Sequence, residues 1–291
     1  MKRQESAQSN QTENAVMDAT LYDFIHHTEE ALPFIRQMQG GRLYPACLPV
    51  HGMERVMDLG CGSGAWIFEL SRLHPHLHIY GIESDQQALQ QARIRRNQSS
   101  VRQIELREMD PLQPLPVPDN FFDLIQMRFR GRGVPPAAWP TLLRECWRML
   151  RPGGWLLLVD ADYYELSSPA FMRLYRAAMQ ALMQIQHTMD KSGLSFGFAQ
   201  CLYGMLIEAG FEEANYETDS IDLGFMSGKP GWAFLMKIMK FSSYVRPLIV
   251  QQNLLSAQEF DALVKQAHIE LQHADLCGWG MLISAYGRKS E

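Results

Sequence analysis

The chain has 291 residues, and its 27 Lys and Arg against 32 Asp and Glu leave a formal charge of −5. Mild acidity excludes a general polyanion binder, which needs clustered cations. With 46% hydrophobic and 20% charged residues, the composition is that of a globular chain long enough to bury its own core. Five cysteines without a CxxC pair suggest neither a disulfide framework nor a zinc knuckle, and methionine, at 17, is in surplus.

Residues 1–17 are polar, have no apolar signal core and read as a flexible tail. No 18-residue uncharged apolar run exists; the nearest, Trp232 to Val250, carries Lys237, Lys240 and Arg246. No membrane span is therefore expected, and the cytoplasm is the expected compartment. Residues 18–52 read as a helical N-terminal cover, with Leu21, Phe24, Ile25, Leu32 and Ile35 at loosely helical spacing and Pro33 as a break or first-turn residue.

From Arg55 onward, short apolar runs alternate with amphipathic segments. Strands are expected at 55–59, 77–83, 104–109, 121–127 and 155–160. Helices are expected at 64–73, at 85–97 with Asp85 as N-cap, and at 139–150, where Arg151-Pro-Gly-Gly154 forms a turn. This alternation predicts a mostly parallel sheet covered on both faces. Beyond Asp160, helices are expected at 168–190, 198–209 (ended by Gly210) and throughout 230–274, with a capping box at Ser256 and Glu259. Strands 211–223 and 279–286 are expected to pair antiparallel.

The sharpest motif is Asp58-Leu-Gly60-Cys-Gly62-Ser-Gly64, between a strand and a helix. Its glycines permit a tight turn and close ligand approach, and the following helix offers free N–H groups. Gly60, Gly62 and Ala65 also satisfy a dinucleotide fingerprint, with Glu83 placed to meet a ribose, so the loop alone leaves two cofactors open. Three details favour S-adenosylmethionine. Asp58 is awkward beside a pyrophosphate but suits an ammonium; Asp110, before Pro111, can accept from an adenine amine; and Leu150-Arg-Pro-Gly-Gly-Trp155 places a turn before strand five.

DLGCGSG, Glu83, Asp110, FFDLIQM and MLRPGGWLLLVD together resemble the successive motifs of class I S-adenosylmethionine-dependent methyltransferases, over about residues 53–223 plus the last strand. GRLYPACLP, GCGSGAWIFELSRLHP, DLIQMR and AAWPTLLRECWRMLRPGGW are more closely similar to the LaeA-like, secondary-metabolism-associated group. The resemblance implies a Rossmann-like, seven-stranded, mostly parallel sheet with helices on both faces, a helical N-terminal cover and helical lid insertions. The methyltransferase domain would then span 53–291, with insertions at about 163–197 and 226–275. The methionines at 172, 179, 183, 189, 226, 236 and 239 fall largely in those additions, over the cofactor, unless they are ordinary core packing.

By position, the resemblance implies that Asp58 and the backbone around Gly60, Cys61, Gly62 and Gly64 hold the amino-acid end of the cofactor. Glu83 would bind the ribose hydroxyls, Ser84 would flank the adenine, and Met109, Asp110 and Pro111 would meet the ring. Met127 and Arg128 would border the sulfonium and the acceptor. Methyl transfer from a sulfonium is an in-line displacement that needs alignment and, for some acceptors, a base. Candidates near the acceptor are Arg128, Tyr22, Tyr163 and His187, with His26, His27, Arg130, Arg132 and Tyr164 in the same segments. Each has a plainer reading, Arg128 as an ion-pair partner of Asp58 or Glu83 and the Arg130/Arg132 loop as solvated. No metal is expected, and no nucleic-acid partner. The expected activity is methyl transfer to a small, partly apolar metabolite, with a homodimer through the helical insertions as a possible assembly. A cofactor-binding regulatory protein, a non-methylating enzyme on the same scaffold and a nicotinamide dehydrogenase are the alternatives.

Overall fold

The computed structural model of the protein describes residues 32–99, 101–131 and 133–290. The expected tail at 1–17, the first part of the helical cover with Tyr22, His26 and His27, and Arg132 lie outside the described residues.

The elements follow the expected alternation. Helix α1 (Leu32–Met38) precedes β1 (Arg55–Leu59), α2 (Ala65–Leu73), β2 (His78–Glu83), α3 (Gln86–Gln98), β3 (Ile104–Glu108), β4 (Phe122–Arg128) and α4 (Trp139–Met149). Then come β5 (Leu150–Leu166), α5 (Pro169–Gln184), α6 (Phe198–Glu208), β6 (Glu212–Asp222), α7 (Gly228–Gln251), α8 (Ala257–Glu270) and β7 (Gly278–Arg288). The sheet order is β3-β2-β1-β4-β5-β7-β6, with only β7 antiparallel to its neighbours. This is a seven-stranded, mostly parallel, Rossmann-like sheet with helices, as the motif order implied. Buried Ile, Leu and Val of β1, β2, β4 and β5 make the sheet's core, each such side chain contributing about 1.5–3 kcal/mol by leaving water.

Local signals hold where expected. Asp85 caps α3 by accepting from Ala88 N at 2.6 Å, and Ser256 with Glu259 forms a reciprocal capping box on α8. Gly210 closes the α6 turn with φ 87°.

Three expectations change. The segment 151–154 is not a turn before the strand: Leu150 already pairs with Phe122, and Gly153 (φ 75°) lies in a bulge that shifts the register before Trp155 pairs with Leu124. The same strand continues past Asp160 to Leu166, because β7 runs beside it to Gly278 and supplies backbone partners. Tyr163 and Tyr164 therefore lie inside β5 and not after it. Second, the helix expected over 168–190 ends at Gln184, and the 230–274 helix is two helices separated at 252–256, where Ser256 restarts the chain. Third, Met172, Met179 and Met239 are buried within the packing of α5 against α7 and α8. These methionines fill a core, whereas Met226 is exposed.

Glu270 of α8 accepts from Ser168 Oγ (2.7 Å) and Ala170 N (3.0 Å), which ties α8 to the start of α5. At the opposite end of the sheet's chain path, Lys289 Nζ donates to Asn120 Oδ1, Trp147 O and Leu150 O, each at 2.8 Å.

Candidate functional site

The C-terminal ends of β1, β2 and β4 and the middle of β5, at Val159 and Asp160, converge around the glycine turn. Gly60, Gly62 and Gly64 all have positive φ, at 90°, 51° and 84°, a conformation costly for residues with a Cβ. The turn is fixed from β2: Gly60 N and Cys61 N donate to Ile82 O at 2.8 and 2.9 Å. Gly62 N donates to Glu83 Oε2 at 2.8 Å. Helix α2 begins directly after Gly64.

Glu83 is buried and heavily bonded. Its Oε1 accepts from Ser84 N (2.7 Å) and Asp85 N (3.0 Å), and its Oε2 from Gly62 N and from Arg130 Nη2 (2.7 Å). Arg130 lies on the glycine turn so closely that a Cβ at Gly60 would overlap its guanidinium. The loop carrying Arg130 is held in place. Phe129 adopts φ 54° and donates its N–H to Val159 O (2.7 Å), while Gly131 N donates to Asp160 Oδ2 (2.7 Å) under the Phe198 ring.

Asp58, at the end of β1, is fully buried, and burial pushes its carboxyl up to about 7 even though Arg128, Arg130 and Gln126 pull it down. Such a carboxylate gains from a cationic partner. Arg128 is buried beside it, donating weakly to Leu43 O (3.4 Å) with its guanidinium 5.5 Å from the Phe129 ring.

The structure brings Asp58, Gly60, Cys61, Gly62, Gly64, Glu83, Ser84 and Arg128 together around the turn. Met109 adjoins them through its N–H to Glu83 O (3.1 Å). Asp110 is exposed and its Oδ1 accepts from Leu112 N (2.9 Å), an Asx turn that spans Pro111. Met127 is buried on the sheet face opposite Gln126 and Arg128, since side chains alternate along a strand. Tyr163, at φ 53°, sits on the β5 bulge with its N–H on Asp162 Oδ1 (3.0 Å), and Tyr164 packs against Tyr175 and Phe234. His187 lies in the loop after α5, a loop that docks on β5 where Phe196 N meets Asp162 Oδ1 (3.3 Å). The ion-pair partner of Glu83 is Arg130 rather than Arg128. Gln126 was not singled out by the sequence, although an amide inside the apolar run Leu124-Ile-Gln-Met127 is itself a signal.

The site suits S-adenosylmethionine on the structure's own terms. Positive-φ glycines form a tight turn, and two buried carboxylates flank it, one to receive an ammonium and one placed at the end of β2 for ribose hydroxyls, with the Arg130 guanidinium lying over Gly60 between them.

Residues 56–154 match the family described as methyltransferase domain. A demethylmenaquinone methyltransferase of Listeria monocytogenes is 27% identical over 179 residues, covering 57% of this chain and 73% of its own. Methyltransferase pytC of Aspergillus terreus is 27% identical over 209 residues, 69% of this chain and 57% of its own length. Among solved structures, the YcgJ protein of Bacillus subtilis superimposes with a TM-score of 0.50 at 17% identity, covering 84% of this chain and 96% of that one. Residues 56–154 are thus similar to a methyltransferase domain, and the sheet around them has a fold shared with solved structures of low sequence identity.

Proposed function

We propose that the protein transfers a methyl group from S-adenosylmethionine to a small, partly apolar metabolite. The carrying observation is the pair of buried carboxylates, Asp58 and Glu83, on adjacent strands either side of the glycine turn. Asp58 would receive the cofactor's ammonium and Glu83 its ribose hydroxyls, with Ser84 and Met109 beside the adenosine. When bound, the cofactor supplies an electrophilic methyl on a sulfonium. The chain's part is to hold that methyl in line with an acceptor and to keep water out. Arg128, on the same sheet face as Asp58, borders the acceptor side, with Tyr163, His187 and Tyr22 as further acceptor-side candidates. A small acceptor is supported by the name of one relative, a demethylmenaquinone methyltransferase, and by buried Phe129 and Phe198, the latter against Gly131. Membership of a LaeA-like group belongs to this proposal, as does a homodimer through the helical additions, which sedimentation equilibrium tests. Among the described residues no helix is long and apolar enough to cross a membrane.

Calorimetric titration with S-adenosylhomocysteine is the test. The protein is expected to bind it, and Asp58→Ala is expected to abolish binding. A protein that binds no adenosylated ligand would overturn the reading.

A further inference from the structure

Gln126 lies at the centre of β4 with no solvent exposure, between apolar Leu124, Ile125 and Met127. Its register partner on β1 is Asp58, so the two side chains stand side by side on one sheet face. Its Nε2 approaches Asp58 Oδ1 at 3.5 Å. Its Oε1 is fully buried and has no hydrogen-bond partner among the described residues. A buried amide oxygen without a donor is costly and rare in folded chains. A Leu or Met would fill the position without that cost.

An ammonium group carries three N–H donors and needs more than one acceptor. Asp58 offers charge but is itself hard to ionise in this environment. A second acid would add another buried charge, whereas an amide oxygen adds an acceptor and no charge. We propose that Gln126 is a second acceptor for the ammonium of the methyl donor, so that the amino-acid end is read by a charge on β1 and a neutral oxygen on β4. This rests on the reading of the glycine turn as the S-adenosylmethionine site.

The purified full chain and its Gln126→Leu and Gln126→Met variants are titrated calorimetrically with S-adenosylhomocysteine and with 5′-methylthioadenosine, which lacks the amino-acid end. Both variants are expected to bind S-adenosylhomocysteine about tenfold more weakly, the loss of one hydrogen bond to a charged group, and methylthioadenosine with unchanged affinity. Thermal melts of all three proteins accompany the titrations, and the variants are expected to melt no lower than the parent. Unchanged affinity for both ligands, or an equal loss for both, overturns the proposal. If the parent chain itself binds neither ligand, the cofactor reading falls, and the role of Gln126 with it; that result is distinct from a variant that binds like its parent.

Discussion

Glu83 has four places at which a carboxylate accepts hydrogen bonds, and Ser84 N, Asp85 N, Gly62 N and Arg130 Nη2 take all four. Two ribose hydroxyls cannot be accepted there until at least one donor leaves. Arg130 is the one carried by a side chain that can swing away. Arg130→Ala is therefore expected to tighten S-adenosylhomocysteine binding several-fold at pH 8, by removing the competitor; weaker binding in a titration would show that Arg130 contributes to holding the ligand. Asp58 makes the opposite demand. Its carboxyl, about 7 in the fold against 3.8 ordinarily, makes the folded state bind more protons than the unfolded one across that window. The stability this proton confers is present at low pH and is lost as pH rises towards 7. Asp58→Asn should consequently raise Tm more at pH 8 than at pH 4 while abolishing cofactor binding; an equal Tm shift at both pH values would contradict the burial argument. Sequence reasoning found Asp58 and Glu83 because strand ends and spacing locate them. It could not assign Arg130, whose position depends on the positive φ of Phe129 and the hook from Gly131 to Asp160, neither of which has a one-dimensional signature.

At the scale of elements, most strands and helices were legible because apolar runs, caps and glycine stops coincide. Asp85, Ser256 and Gly210 mark boundaries by chemistry that acts over three or four residues. Extent was harder to read where a distant partner decides it. β5 grows past Asp160 because β7 lies alongside, and Gly153-Gly154, which reads as a turn, becomes a bulge because Phe122 pairs across it. The capping box on α8 is local and separable from the site. Ser256→Ala is expected to cost about 1 kcal/mol of stability, seen as a lower urea midpoint, with no change in S-adenosylhomocysteine affinity. A change in affinity would mean that α8 reaches the cofactor through α5.

For the whole molecule, Lys289 joins the end of β7 to the approach to β4 and the end of α4, and its ammonium stands 3.9 Å from the centre of the Trp147 ring. Burial pushes its pKa down, and three oxygens use its three donors. Lys289→Met leaves those acceptors without that donor and is expected to destabilise the protein by about 2–3 kcal/mol, read as a drop in unfolding free energy with no loss of cofactor binding; a silent substitution would show that water replaces the clasp. The placement of β7 between β5 and β6 also has a temporal consequence. During synthesis β6 emerges before β7, its only ladder partner among the described residues, and at about 5–20 residues per second Gly278 follows Asp222 only after several seconds. Through that interval the strand is an open edge, and its acids, Glu212, Glu213, Glu217, Asp219 and Asp222, give it the charge that discourages pairing with a neighbouring nascent chain. The acidity of this one strand thus guards the protein on the ribosome before it serves the finished sheet.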